Sequence, residues 1–457
     1  MCRRQVRPYL IIAMKLISSL ILMLFIASSG WAQTFSVLFN FNADKIGRSP
    51  TSQLVQAPDG TLYGERFNGV GASYGTLFAI NANGTGFTNL FSFNLSDGGF
   101  PEGGLLLSGS MLYGTTSQSE TGYGTVFAIN TNSTGFTNLY NFSGSDGSSP
   151  EAALMLSGNT LYGTTYGGGT NGYGVVFAIN TNSTGFTNLF NFGNRDGGAP
   201  ETALLQIGST LYGTTYGGGT NGDGEVFSIQ TNGTAFTNLR SFDNYDGYFP
   251  LGTLVASGST LYGTTLMGGS RGYGEVFAIN IGGTGFTNLY SFTNSIDGGS
   301  PEAGLVLSGK TLYGTAYSGG TKNFGAIFAI HTDGTGFTNI YSFTNGIDGA
   351  YPAAALLLSS NILYGTANGG GTNGYGTIYS LTLPASPSPP ALSVHFTGNN
   401  LIVTWPSNAT GFTLETATSL GAPGNWNPVT NVPTIVNGQY TITNAATGQN
   451  AFYYLSH

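Results

Sequence analysis

The triplet Leu-Tyr-Gly occurs seven times, with its tyrosines at Tyr63, Tyr113, Tyr162, Tyr212, Tyr262, Tyr313 and Tyr364, spaced 49 to 51 residues apart. A fixed period of about fifty residues means a repeat architecture, in which each unit hides its apolar face against its neighbours. Three further signatures recur in order within each period. One is an aromatic residue plus Gly and an apolar run, as in Tyr123-Gly124-Thr125-Val126-Phe127. Another is Phe-Thr-Asn-Leu-aromatic-x-Phe, as in Phe186 to Phe192, and the last is Asp-Gly-x-x-Pro, as in Asp146 to Pro150. Turn residues separate four strand candidates per unit, which is the pattern of one propeller blade. In the copy around Tyr162 the expected strands are Ala152 to Leu156, Thr160 to Thr165, Gly174 to Ile179 and Phe186 to Phe192, each of five to seven residues. They are called A, B, C and D below. The Gly after each tyrosine is expected to let sheets approach near a crowded axis.

The ends of the array point to a ring. The segment from Phe35 to Phe41 reads as a strand D with no unit before it, and the last copy stops in strand C at Tyr379-Ser380-Leu381. One end supplies what the other lacks, which removes an exposed sheet edge. The expected fold is therefore all-β, a seven-bladed β-propeller closed by an N-terminal strand, with a small C-terminal β-sandwich.

Four of the 12 basic residues, Arg3, Arg4, Arg7 and Lys15, precede or open an apolar run from Leu16 to Ala27, and Gly30-Trp31-Ala32 follows. This is the form of a signal peptide cleaved after Ala32, and Met14-Lys15 onward would already make a complete one. No later run is long and apolar enough to span a bilayer, so no membrane insertion is expected after cleavage. The leader holds none of the 20 acidic residues, so its removal takes the net charge from −8 to −12. An acidic mature chain disfavours nucleic acid as a partner. Cys2 is the single cysteine, so the mature chain has no disulfide. The expected organisation is a signal peptide at 1–32, the propeller at 33–383, a Pro/Ser linker at 384–390 and the sandwich at 391–457. In the sandwich, Trp405 and Trp426 are expected in the core, and strands are expected at Leu392 to Phe396, Leu401 to Trp405, Phe412 to Thr416, Tyr440 to Thr443 and Ala451 to Leu455.

Asp196 to Pro200, Leu211 to Thr215, Gly217-Gly218 and Gly274 to Phe277 together carry a resemblance. The region 35 to 381 resembles the tandem GloVer repeat of Gloeobacter and Verrucomicrobia. Val403 to Pro406, Gly411 to Glu415, Trp426 and Phe452 to Leu455 resemble a fibronectin/immunoglobulin-like module of exported proteins. The resemblance implies export and surface display or release, and it implies no reaction. The first copy departs from the pattern: Ile46 stands in place of Asp, and Glu65-Arg66 in place of Thr-Thr.

Three loops, Gly167 to Gly172, Gly217 to Gly222 and Gly369 to Gly374, match G-x-G-x-x-G in form. A strand follows each of them, whereas dinucleotide binding needs a helix there. They read as flexible B–C loops. Asp97, Asp146, Asp196, Asp246, Asp297 and Asp348 recur, and Glu102, Glu151, Glu201 and Glu302 follow four of them by five residues. Such a ring could hold Ca²⁺, but the favoured reading is an Asp that caps its own turn and a solvated Glu at a strand start. His331, His395 and His457 are scattered, and no catalytic set, metal site or cofactor is expected.

One B–C loop position varies between copies while its flanks do not: Phe67, Ser117, Tyr166, Tyr216, Leu266, Tyr317 and Asn368. Aromatics beside Gly and Asn on an exposed rim suit stacking on sugar rings or on a protein surface. Phe67, Tyr166, Tyr216, Tyr317 and Asn368 are therefore the candidate ligand-binding residues. The expected function is that of an exported, monomeric, non-enzymatic binding or scaffold protein at the cell surface or outside the cell. Its partner would be a glycan or a protein. The alternatives are a carboxylate-dependent polysaccharide-degrading enzyme and a structural surface-layer protein.

Overall fold

The computed structural model describes residues 33–42, 50, 52–67, 73–384, 391–398, 400–407, 412–417, 427–445 and 452–456. The signal-peptide expectation, the expected linker beyond Pro384, and Trp426 lie outside these residues. The chain divides into a unit at Gln33–Leu383 and a second unit that includes Pro384–His457.

Among the described residues of the first unit all elements are strands, grouped in seven four-stranded antiparallel sheets. The third is representative, with A at Met155–Ser157, B at Thr160–Thr165, C at Val175–Asn180 and D at Thr187–Asn191. Strand A is shorter than the five to seven residues expected. Residues 151–154 before it lie outside the ladder and run past the pocket described below. Strand C carries the buried apolar run, and a bulge between Val176 and Phe177 sets its register with strand D.

The seventh sheet takes its outer strand from the other end of the unit. Thr34–Asn40 pairs antiparallel with Thr377–Thr382, Ser36 facing Ser380, with a bulge between Val37 and Phe39. Each pair of sequential sheets shares one apolar cluster, and a further cluster joins Tyr364 and Ile378 of the seventh sheet to Leu54, Leu62, Phe78 and Ile80 of the first. A phenylalanine just past strand D meets the central aromatic of the next strand C edge-on. Phe142 and Phe177 do so at 5.3 Å, Phe192 and Phe227 at 5.2 Å. Phe41, just past the N-terminal strand, meets Phe78 at 5.8 Å in the same manner.

Two glycine positions are dictated by close approach. A Cβ on Gly163 would lie 2.6 Å from the ring of Phe177, its partner across the ladder. The glycine of Leu-Tyr-Gly therefore makes room first for an aromatic of its own sheet, where the sequence suggested room for a neighbouring sheet. A side chain of the neighbouring sheet also approaches at Gly114, where an added Cβ would lie 3.0 Å from Glu65 Oε1. The glycine of Tyr-Gly sits at positive φ with the next sheet's proline against it, as Gly174 does with Pro200. The last of these, Gly376, has Pro50 in that place.

The C-terminal unit holds a four-stranded and a three-stranded antiparallel sheet. Val403, Trp405 and Ile442 of one share a core with Leu414 and Leu455 of the other. The strands near the five expected runs are Ser393–Thr397, Asn400–Pro406, Thr413–Ala417, Gln439–Ala445 and Phe452–Ser456. Asn427–Pro428 and Thr434–Val436 are two short strands not anticipated from the sequence.

Candidate binding face

In the second to seventh sheets the loop that enters the sheet pairs with that sheet's own B–C loop, for example Ser148 with Gly167 and Ala350 with Gly369. The Asp-Gly-x-x-Pro motif sets the geometry. Its residue before proline has a left-handed backbone in six copies: Phe100 (φ 58°), Ser149 (52°), Ala199 (54°), Phe249 (59°), Ser300 (52°) and Tyr351 (57°). This conformation costs an L-residue about 1–3 kcal/mol and persists only where the surroundings enforce it. Both of its main-chain groups are held. Ser149 donates its N–H to the Tyr123 carbonyl at 3.0 Å, and its own carbonyl accepts from the Tyr166 N–H at 2.9 Å. The chain then turns inward at proline and presents the next residue to a common pocket.

That pocket has a volume of about 320 Å³, and all seven entry segments contribute to its lining, through residues such as Gln53, Gly103, Ala152, Ala203, Leu251, Ala303 and Ala354. Glu102, Glu151, Glu201 and Glu302 project into it from four of them. These glutamates are not solvated strand starts, which corrects the favoured sequence reading: the residue after proline faces the shared pocket instead of open solvent. Burial is the first cause of the rise in their pKa values. Glu102 is pushed up to about 7 by burial and by Glu151. Glu201 reaches about 8 through burial, Glu151 and Glu102, and Glu302 reaches about 7 through burial. Glu151 is also raised by burial. No Lys or Arg is among the lining residues.

Aromatic pairs flank the carboxyl groups and bridge consecutive sheets. Tyr216 stacks on Phe249 with centroids 4.3 Å apart, Tyr317 stacks on Tyr351 at 5.2 Å, and Phe67 lies tilted against Phe100 at 4.9 Å. Tyr216 is raised by burial and then by Glu201, and Tyr317 by burial and then by Glu302, so the rim and the carboxyl ring adjoin. Tyr166 is 43% exposed and acts electrostatically on Tyr216. Asn368 is half-buried and donates its N–H to the Tyr351 carbonyl at 3.1 Å. Ser117 is buried, its Oγ bonded to the Phe100 carbonyl at 3.1 Å. Phe100, Phe249 and Tyr351 were not singled out in the sequence. The signal was there: the residue before proline varies as Phe, Ser, Ala, Phe, Ser and Tyr while Asp-Gly and Pro stay fixed.

The recurrent aspartates serve their own turns. Asp348 accepts from the Tyr341 hydroxyl at 3.1 Å, the Thr344 N–H at 2.9 Å, the Thr344 hydroxyl at 2.6 Å and the Gly346 N–H at 3.2 Å. Asp297 has the same set of partners in its turn, and Asp246 forms an ion pair with Arg240. Among the described residues no three His, Cys, Asp or Glu side chains converge closely enough to hold a metal ion.

A tandem array of four-stranded antiparallel sheets around a shared pocket defines a propeller-like all-β repeat protein. The chain belongs to the Gloeobacter/Verrucomicrobia repeat family, whose profile matches residues 25–222 and 202–409. No curated protein matches it. Among solved structures it is similar to a chain of a nidogen/laminin complex, with 15% identity, a TM-score of 0.40, and coverage of 59% of this chain and 91% of that one. It is similar to TolB from Acinetobacter baumannii at 16% identity and TM-score 0.37, covering 57% of this chain and 59% of that one. An oligogalacturonate lyase in complex with manganese is similar at 10% identity and TM-score 0.46, with 78% and 97% covered.

Proposed function

We propose that this is an exported, non-enzymatic binding protein: a seven-bladed propeller, closed by its N-terminal strand, that holds a glycan or protein partner at one loop face. The observation that carries the reading is the pocket to which all seven entry segments contribute, acidic inside and aromatic at its edge. Ring closure is supported by the pairing of Thr34–Asn40 with Thr377–Thr382 and by the 3.0 Å hydrogen bond from Gln53 Nε2 to the Leu356 carbonyl. An amine suits the interior, because a cation entering beside Glu102, Glu151 and Glu201 relieves the repulsion among these carboxyl groups. A sugar face or an apolar side chain suits the rim. The best-matched ligand is therefore an amino-bearing glycan or a lysine-bearing protein segment. The C-terminal unit is a fibronectin/immunoglobulin-like spacer or sorting element, and the whole acts outside the cell.

The test is binding of residues 33–457 to arrays of neutral, acidic and amino glycans and of basic peptides, with and without EDTA. Binding to an amino-bearing class, weakened at least tenfold by Glu151→Gln with Glu201→Gln and by Tyr216→Ala with Tyr317→Ala, supports the reading. Binding that survives all four substitutions places the site elsewhere. A second reading, a carboxylate-dependent polysaccharide hydrolase, draws on glutamates held near 7 to 8, a range suited to proton donation. Release of reducing sugar from a polysaccharide panel would favour it.

A further inference from the structure

The first sheet differs from the other six at the end of strand B, and the pocket does not account for the difference. In six sheets a threonine hydroxyl there donates to a main-chain carbonyl of the segment entering the next sheet. Thr115 donates to Ala152 at 3.2 Å, Thr164 to Thr202 at 3.3 Å and Thr214 to Pro250 at 3.1 Å. Thr264 donates to Ala303 at 3.0 Å, Thr315 to Ala354 at 3.3 Å and Thr366 to Ser52 at 3.4 Å. Each joint is thus a neutral pair, indifferent to pH.

Glu65 holds the remaining joint, between the first and second sheets. Its Oε2 accepts the Gly104 N–H at 2.8 Å. The side chain is 1% exposed, and Oε1 is buried without a hydrogen-bond partner. Oε1 lies against the Cα of Gly114 in strand B of the second sheet, where an added Cβ would sit 3.0 Å away. The segment before strand A of the first sheet faces it with the neutral Ser52, whose Oγ accepts the Glu65 N–H. The segment entering the second sheet faces it with Glu102, the one charged group that acts on it among the described residues. Arg66 does not neutralise it. Adjacent residues of a strand point to opposite faces, and Arg66 bonds Asn89 within its own sheet and lies over Phe41 and Phe87.

We propose that Glu65 makes the joint between the first and second sheets a proton-operated latch, closed while its carboxyl is protonated and loosened once it ionises. Ionisation leaves a charge with one hydrogen bond, one bare oxygen and a negative neighbour in Glu102. Water entering the joint relieves all three. Burial holds Glu65 at about 8, which brings the transition into a mildly alkaline range. Glu102 and Gly103, two of the residues that line the pocket, belong to the segment that would move. The latch therefore couples proton loss to the shape of one pocket wall.

Hydrogen exchange on residues 33–457 at pH 6 and pH 9.5, corrected for intrinsic rates, tests this directly. Peptides covering 101–116 should lose at least about tenfold in protection at the higher pH relative to peptides covering 250–265, where a threonine holds the equivalent joint. Glu65→Gln, and Glu65→Thr as the residue the other six sheets use, should abolish that difference. An equal pH response in the two regions of the wild type overturns the proposal, and so does a response that persists in either variant. Should neither variant fold, the wild-type comparison decides alone. The outcome does not depend on whether the pocket binds a ligand.

Discussion

Phe41 offers a sharp test of how the N-terminal strand is used. It lies outside the fifty-residue repeats, yet it is 0% exposed and packs among Phe39, Phe78 and Phe87, with centroids 5.3, 5.8 and 6.1 Å away, beneath the Arg66 guanidinium. Truncating a buried phenylalanine to alanine costs about 3–5 kcal/mol, and loss of aromatic pairing adds about 0.5–1.5 kcal/mol per contact beyond area. The cluster around it joins the seventh sheet to the first, so its walls belong to two sheets and collapse poorly. Phe41→Ala should therefore destabilise by about 4–5 kcal/mol. That matches Phe142→Ala, the equivalent position between the second and third sheets. Urea denaturation followed by intrinsic fluorescence, with m-values compared, measures both. A loss below about 1 kcal/mol for Phe41→Ala beside a large loss for Phe142→Ala would refute the reasoning. It would mean the N-terminal strand merely lies against the fold.

Stability should fall as pH rises. Glu65, Glu102, Glu201 and Glu302 titrate at about 7 to 8 when folded, against 4.5 for an ordinary glutamate. The folded state thus holds protons that the unfolded state has released. Stability is greatest near pH 4.5, declines through pH 8 and levels above it, with Glu65 alone accounting for about 5 kcal/mol at ~1.4 kcal/mol per pH unit. Denaturant midpoints between pH 4.5 and 9 check the sign, and a midpoint that rises over that window contradicts it. Tyr379→Phe should stabilise by about 1–3 kcal/mol, because its hydroxyl is buried without a hydrogen-bond partner where the other six sheets have Phe; a lower melting temperature would contradict this. Asp348→Ala should cost about 2–3 kcal/mol by removing four hydrogen bonds from one turn, read by thermal denaturation.

The periodic part of the fold was legible. Strands B, C and D lie near their expected positions, because each has its own apolar spacing bounded by turn residues. The segment from Phe35 was readable as an outer strand without a unit, and Thr34–Asn40 pairs with the last strand C. A ring of recurrent acidic residues was legible, but the burial of its glutamates in a pocket was not. These glutamates lie about fifty or a hundred residues apart in sequence and are gathered only by the curvature of the array, which no local pattern records. The segment at 152–154 was read as the start of strand A because it is small and apolar. Those side chains suit the wall of a narrow pocket equally well. The bend before proline was hidden for another reason: Phe100, Phe249 and Tyr351 adopt a backbone that bulky residues avoid, and only the paired hydrogen bonds around them enforce it.

The central claim is that residues near the two ends of the Gln33–Leu383 unit meet in one sheet and so complete the array that gathers the pocket. Residues 33–457 contain no cysteine, and Ser36 stands directly opposite Ser380 across the ladder. The most direct measurement is therefore thiol titration and non-reducing electrophoresis of the Ser36→Cys, Ser380→Cys double variant under mild oxidation. The account predicts a disulfide formed in the native state, no titratable thiol, and a melting temperature above that of the reduced form. Two free thiols in the folded protein, with no intramolecular cross-link, would contradict it.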